Sequence, residues 1–205
     1  FRIPPMIPAI VLAAGRSTRM GRLKPNLPIA GGTFLSVIVR AFLDADVRDV
    51  AVVIGHEMDA VREEFAKTGL PVRFAVNPDY DRGQLSSVLA GLDATDRPDV
   101  EAVLVTLVDV PLVSPATIRA VIDCYRRTGA PVVRPTRGSE HGHPLLIARA
   151  LFASVRRANP AEGLKPVVRA HRTSAGDLPI DDPGAFIDID TPEDYSTALT
   201  LAGKQ

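Results

Sequence analysis

Apolar and polar positions follow one another along this chain in two rhythms. Four segments are apolar almost without interruption: residues 7–15, 50–55, 72–76 and 102–108. Runs of that kind suit strands buried on both faces, as in a parallel sheet. Between them, apolar residues recur every three or four positions, which is the helical rhythm. Thr33 is placed to cap a helix whose stripe is Phe34, Leu35, Ile38, Ala41, Phe42 and Ala45. Met58, Val61 and Phe65 mark a second helix that stops near Gly69, and Leu85, Val88, Leu89 and Leu92 mark a third. Ser114 and Pro115 give a cap and a first-turn proline to a fourth, which carries Ile118, Val121, Ile122 and Tyr125 and ends at Gly129.

Beyond Gly129 the rhythm loosens. The pattern there predicts a short strand at Val132 and Val133, a histidine-rich loop, an apolar turn over residues 145–152 and a last strand near Phe186 and Ile187. There is no internal repeat and no low-complexity linker. Four strand–helix alternations in 205 residues predict an α/β fold. The expected form is a single doubly wound, mostly parallel sheet with helices on both faces, making one domain over residues 1–205.

Composition narrows the class without touching the chemistry. At 46% hydrophobic and 23% charged, this is the make-up of an ordinary soluble globular protein. Lys+Arg and Asp+Glu both count 24, so there is no net basic field for nucleic acid and no polybasic run for a membrane surface. No apolar run approaches the roughly 18 residues of a spanning helix. A lone Cys124 cannot form an internal disulfide, which makes a reducing cytoplasm the expected compartment. It falls beside a helical stripe, as packing rather than as a nucleophile. The opening Phe1, Arg2, Ile3, Pro4 and Pro5 lack both Met and an apolar signal core, and read as a trimmed terminus.

In open α/β sheets, ligands bind beyond the carboxyl ends of the strands, where strand order reverses. The loop after the first strand runs Ala13-Ala14-Gly15-Arg16-Ser17-Thr18-Arg19-Met20-Gly21-Arg22-Leu23-Lys24. Small residues let backbone N–H groups approach phosphate oxygens, while arginine and lysine supply the counter-charge. This is neither a Walker A loop nor a dinucleotide fingerprint, since no Gly-Lys-Ser/Thr follows and Gly-x-Gly-x-x-Gly occurs nowhere. Asp109 ends the most apolar strand, either capping the turn before Pro111 or holding a metal. Asp188, Asp190 and Asp194 form a second acidic cluster that stands equally well as caps for a helix opening at Thr191 and Pro192. Gly83 and Gln84 begin a helix whose N–H groups can meet a ribose or phosphate, or serve simply as a good start. His141 and His143 are one residue apart, with no third His or Cys near to complete a transition-metal site. His56 and His171 carry no signal of their own.

The string Leu-Ala-Ala-Gly-x-Ser-x-Arg-Met-Gly-x-x-Lys from Leu12 to Lys24 resembles that of the MobA-like nucleotidyltransferases of molybdenum-cofactor biosynthesis. Ala14 fits the cytidylyltransferase branch, since guanylyl relatives usually carry Leu-Ala-Gly-Gly. The order Lys24-Pro25 leans away from sugar-phosphate relatives, which usually have Pro-Lys. The resemblance continues through Leu27-Pro28-Ile29, Asp109-x-Pro111, Gly142-His143-Pro144 and the stretch from Asp188 to Tyr195. It departs at Val108, where the family commonly has Gly, and at Gln84, where it tends to have Met.

The fold the resemblance implies is that of the nucleotide-diphospho-sugar transferases. Lys24, Arg19 and Asp109 are the implied catalytic residues. Leu12, Ala13, Ala14, Gly15, Arg19, Gly21, Lys24, Asn77 and Ser86 would bind nucleotide, and His143 the acceptor. Asp109 and Asp190 would bind Mg²⁺, with Mn²⁺ as the alternative ion. The implied reaction moves a nucleotidyl group, CMP from CTP, onto a phosphorylated small acceptor such as molybdopterin and releases pyrophosphate. A molybdoenzyme or its chaperone is the macromolecular partner this implies. Other readings stay open: another acceptor such as a sugar phosphate, a nucleotide-binding module silenced at Val108, or a metal-dependent glycosyltransferase.

Overall fold

The computed structural model describes residues 6–17 and 20–203. The first apolar run becomes β1 (Ala9–Leu12), buried throughout. A hairpin of β2 (Pro28–Ile29) and β3 (Gly32–Thr33) leads into α1 (Phe34–Asp44). The Thr33 and Ser36 hydroxyls each accept from the other's backbone N–H, the reciprocal cap that fixes where α1 starts. Next come β4 (Val50–Ile54), α2 (Met58–Ala66), β5 (Arg73–Val76), α3 (Gln84–Thr95), β6 (Ala102–Leu107) and α4 (Pro115–Thr128). The chain continues through β7 (Val132–Arg137), β8 (Glu140–His141), β9 (Leu145–Ala148), α5 (Phe152–Arg156), α6 (Lys165–His171), β10 (Asp177–Pro179) and α7 (Pro192–Ala202).

The main sheet has the order β10-β7-β9-β6-β1-β4-β5, with β8 added to β7. β6, β1, β4 and β5 are parallel, and β10 is parallel to β7. Side chains of successive strand residues enter two separate apolar layers. Ala9, Val11 and Ala13 face a layer shared with α1, α2, α4 and α7, while Ile10, Leu12 and Ala14 face one shared with α3 and α5. Burial on both faces is why these strands read as continuous apolar runs. Cys124 is buried and its thiol donates to the Ala175 carbonyl, in keeping with a packing role. Among the described residues no helix is long and apolar enough to cross a membrane.

Two expectations for the second half are corrected. The run over residues 145–152 does not open as a turn. Residues 145–148 form β9, inserted antiparallel between β6 and β7, so both of its edges are paired and its apolar side chains are covered. The strand expected near Phe186 and Ile187 is a 3-10 turn over Pro183–Phe186, capped by the Asp182 carboxylate, which accepts from the Gly184 N–H at 3.0 Å. A Cβ on Gly184 would run into the Leu112 carbonyl. Glycine therefore lets this turn lie flat against the loop after β6. The last strand is instead β10, a three-residue edge that tolerates Pro179.

Candidate active site

Strand order reverses between β1 and β6: the chain leaves β1 toward β4 on one side, while β6 flanks it on the other. The loops leaving β1 and β6 therefore diverge and open a crevice. The β1 loop folds back on itself, with the Lys24 N–H donating to the Ser17 hydroxyl at 3.1 Å and the Met20 N–H to the Ser17 carbonyl at 3.0 Å. Gly21 takes a left-handed φ of 62° in that return. The fold-back drives Lys24 inward, and only 7% of the residue is exposed.

The Lys24 ammonium lies 3.3 Å from Asp109 Oδ2 and 2.5 Å from Asp190 Oδ1. Asp109 follows β6 directly. Asp190 is brought to it by the Ile189 N–H, which donates to the Asp109 carbonyl at 2.8 Å. The second acidic cluster thus divides by role. Asp194 caps α7, accepting from the Asp190 and Thr191 N–H groups at 3.1 and 2.9 Å, while Asp190 points to Lys24. Packing around Asp188, and then the charges on Asp109 and Asp190, push its carboxyl above the usual range.

Two carboxylates converging on one cation suit a divalent ion, and Asp109 Oδ1 is buried with no hydrogen-bond partner. Among the described residues no cluster of three or more His, Cys, Asp or Glu stands ready as an all-protein metal cage. The donor set fits Mg²⁺ or Mn²⁺ completed by phosphate oxygens and water, and does not fit a closed structural site.

Beside this triad is a cavity of about 260 Å³ lined by Leu12, Ala14, Gly15, Ser17, Lys24 and Asp109, with Tyr80, Gly83, Gln84 and Ser87 opposite. Arg16 lies beside Tyr80, one of the lining residues. Its guanidinium is bidentate to Asp81 at 2.8 and 2.7 Å and lies 5.5 Å from the Tyr80 ring centroid. Gly83, at φ 99° and ψ 170°, holds a conformation that suits glycine and aims the start of α3 at the cavity. Val108 also lines the cavity but is 8% exposed and packed in the α1/α4 layer, which limits how far it crowds a ligand.

A second cavity of about 580 Å³ adjoins the first and shares Leu12, Gln84 and Leu107 with it. His143 and Asp188 line it near Asp109, and Arg134, Lys165, Arg169 and Arg172 line it farther along. Burial holds the His143 imidazole below its ordinary value, hence neutral, and its Nδ1 is buried without a partner.

The structure gathers Leu12, Ala14, Gly15, Lys24 and Asp109 at one cavity, joins Asp190 through Lys24, and puts His143 in the adjoining one. Arg19 lies outside the described residues. Four expected nucleotide contacts do not line the cavity: Gly21 is exposed in the return of the β1 loop, and the other three are Ala13, Asn77 and Ser86. Ala13 turns into the core. Asn77 and Ser86 are tied to each other at 2.9 Å, and the Asn77 amide also donates to the Ser87 hydroxyl at 3.0 Å, so this pair holds the loop and Ser87 reaches the cavity. The sequence reading passed over Arg134, Lys165, Arg169 and Arg172. The i, i+4, i+7 spacing of the last three was the available signal.

Comparison with known proteins places this geometry. The profile of the MobA-like NTP transferase domain matches residues 9–175. The chain belongs to the MobA-like NTP transferase family. Molybdenum cofactor cytidylyltransferase of Escherichia coli (strain K12) is 30% identical over 94% of this chain and 95% of its own length. Molybdenum cofactor guanylyltransferase of Rhodopseudomonas palustris (strain HaA2) is 30% identical over 98% and 95%. The crystal structure of Rv0371c from Mycobacterium tuberculosis H37Rv has a TM-score of 0.82 at 28% identity, covering 97% of this chain and all of that one. The same protein in complex with manganese gives a TM-score of 0.78 at 27% identity. As a MobA-like transferase, the chain shows the fold expected of the nucleotide-diphospho-sugar transferases.

Proposed function

We propose that this chain moves CMP from CTP onto the phosphate of molybdopterin or its molybdenum cofactor and releases pyrophosphate. The observation that carries the reading is the meeting of Lys24, Asp109 and Asp190 at the junction of two cavities. The smaller takes the nucleotide and the larger the acceptor. The acceptor phosphate is largely dianionic at pH 7, since its second pKa is about 6. One of its oxygens forms a bond to the α-phosphorus as the bond to the bridging oxygen of pyrophosphate breaks, so no dedicated base is needed. That matches a site in which burial holds the His143 imidazole below its ordinary value, so that it is a poor proton acceptor.

The protein's work is positioning and charge neutralisation. Backbone groups at Ala14 and Gly15 approach the nucleotide without side-chain bulk, and the α3 start at Gly83 and Gln84 offers free N–H groups. Lys24 supplies a compact positive charge at the wall of the nucleotide cavity. Asp109 and Asp190 would hold Mg²⁺ or Mn²⁺, which supplies charge stabilisation on the transferring phosphoryl group. The manganese-bound relative supports a divalent ion, and the cytidylyltransferase relative together with Ala14 supports CTP.

The test is pyrophosphate release with MgCl₂, molybdopterin and each of CTP, GTP, UTP and ATP. Release with CTP at the highest rate, with CTP raising the melting temperature more than GTP, is the expected result. A GTP preference moves the chain to the guanylyl branch. No release with any nucleotide removes the transferase reading.

A further inference from the structure

The turn after β5 buries an amide whose hydrogen bonds can run in only one direction. Asn77 is 3% exposed, and its own N–H continues the β4–β5 ladder by donating to the Ile54 carbonyl at 2.8 Å. Its Oδ1 accepts from the Asp79 N–H at 3.0 Å. A backbone N–H can only donate, so the side-chain oxygen belongs on that side and the NH₂ group on the other. The two amide protons go to the Ser86 hydroxyl at 2.9 Å and the Ser87 hydroxyl at 3.0 Å.

The two serines then part ways. The Ser86 hydroxyl passes its own proton to the carbonyls of Gly83 and Asp79, at 2.8 and 3.0 Å, and is satisfied within the turn. Ser87 is 6% exposed and lies one helical turn from Gln84, on the face of α3 that lines the smaller cavity. Its oxygen accepts from Asn77, and among the described residues no group accepts its proton. A buried hydroxyl proton without an acceptor is costly, and the cavity is where a ligand atom can take it. The contacts to Asp79 and Ser86 suffice to hold the turn, so the second amide proton has its effect at the cavity wall.

We infer that Asn77 is a positioning residue: it occupies the Ser87 oxygen and so leaves that hydroxyl to donate into the smaller cavity, where the bound nucleotide must offer an oxygen or ring nitrogen as acceptor. This rests on the assignment of that cavity to the nucleotide. Asn77 then touches no ligand and acts only through the direction of one hydrogen bond.

The test needs no turnover. Asn77→Asp keeps the side-chain shape but replaces the NH₂ group by an acceptor, so it takes the Ser87 proton and turns lone pairs to the cavity. The full chain is titrated calorimetrically in MgCl₂ with CTP, or with GTP if that binds more tightly. Wild type, Ser87→Ala, Asn77→Asp and the double variant are compared, with a melting curve for each. Ser87→Ala should weaken binding about tenfold, because the nucleotide's acceptor loses its partner. Asn77→Asp should weaken it by at least about tenfold in the wild type but by about threefold or less in Ser87→Ala, where only its charge acts. A contact that merely holds the turn would cost the same in both backgrounds. Equal costs, or a Ser87→Ala chain that binds nucleotide like the wild type, overturn the inference. Should Asn77→Asp fail to fold, Asn77→Ala, whose freed Ser87 hydroxyl can turn away, is held to the same comparison. If pyrophosphate release fails while this coupling persists, the transferase reading falls and the role of Asn77 stands. Release with equal costs removes only that role.

Discussion

At the scale of single residues, Lys24 departs most from expectation. A loop lysine in a phosphate-binding string reads as solvent-exposed and dispensable to the fold. Here its side chain is 9% exposed and its charge sits between two carboxylates. Replacing it with Met keeps the packing volume but leaves Asp109 and Asp190 facing each other with no cation. Breaking a fully buried ion pair costs about 3–5 kcal/mol, and the 42% exposure of the Asp190 side chain reduces that here. Lys24→Met should therefore lose about 1–2 kcal/mol in urea melts in EDTA. Added MgCl₂ should recover more stability in this variant than in the wild type. Turnover should fall on the order of 100-fold, because a charge facing the transferring group is lost. A variant as stable as the wild type in EDTA would mean the three groups do not interact as the geometry indicates.

At the scale of elements, the start of α7 does two jobs. Its capping box orders the helix, and the same Asp194 carboxylate grips the Asp190 N–H, setting where the Asp190 side chain can point. Thr191→Ala should cost about 1 kcal/mol and also lower turnover, which a remote cap would not do. The pH dependence has a definite sign. Hydrogen bonds from the Thr191 hydroxyl and from the Thr191 and Asp190 N–H groups hold the Asp194 carboxyl below its ordinary value. Its contribution is complete above the unfolded pKa of about 3.9 and is lost as pH falls through the lower folded value. The stability gap between wild type and Asp194→Asn should be widest near neutral pH and should narrow below about pH 4. Urea melts at pH 7 and pH 3 measure it.

Elements also show where the sequence could be read and where it could not. Strands buried on both faces announce themselves as apolar runs, and helices with Thr33 or Ser114 caps announce their starts, so the parallel half was legible. β9 was not, because an apolar run beside irregular chain does not reveal that two edges wait to pair with it. The turn at Pro183–Phe186 depends on the close approach of Gly184 to Leu112, a tertiary fact. Lys24 was legible in a local string, whereas Asp109 and Asp190 read equally well as caps and were joined only by the family resemblance, since 85 and 166 residues separate them from Lys24. Arg134 and the α6 cations were not legible, since only the fold turns them toward one cavity.

At the scale of the whole molecule, the site exists because distant parts of the chain are brought to the sheet's reversal point. β1 delivers Lys24, β6 delivers Asp109, and the segment before α7 delivers Asp190. That arrangement makes opposite predictions for activity and for stability. For activity, the proposed function has Asp109 and Asp190 act as one unit on one cation. Asn keeps a neutral oxygen ligand but removes the charge that attracts the metal. Asp109→Asn and Asp190→Asn should each lower Mg²⁺-dependent turnover on the order of 100-fold. The double variant should be scarcely slower than either, since members of a catalytic unit are not additive. For stability without metal, Lys24 keeps one carboxylate in each single variant, so each should cost no more than about 1 kcal/mol. The double variant strands a buried ammonium with neither partner and should cost about 3 kcal/mol, well beyond the sum of the singles. Pyrophosphate release and urea melts in EDTA on the three proteins read both quantities. Active single variants would take Asp109 and Asp190 out of the metal's reach. Additive stability losses would separate Lys24 from them, leaving the lysine to the phosphate alone.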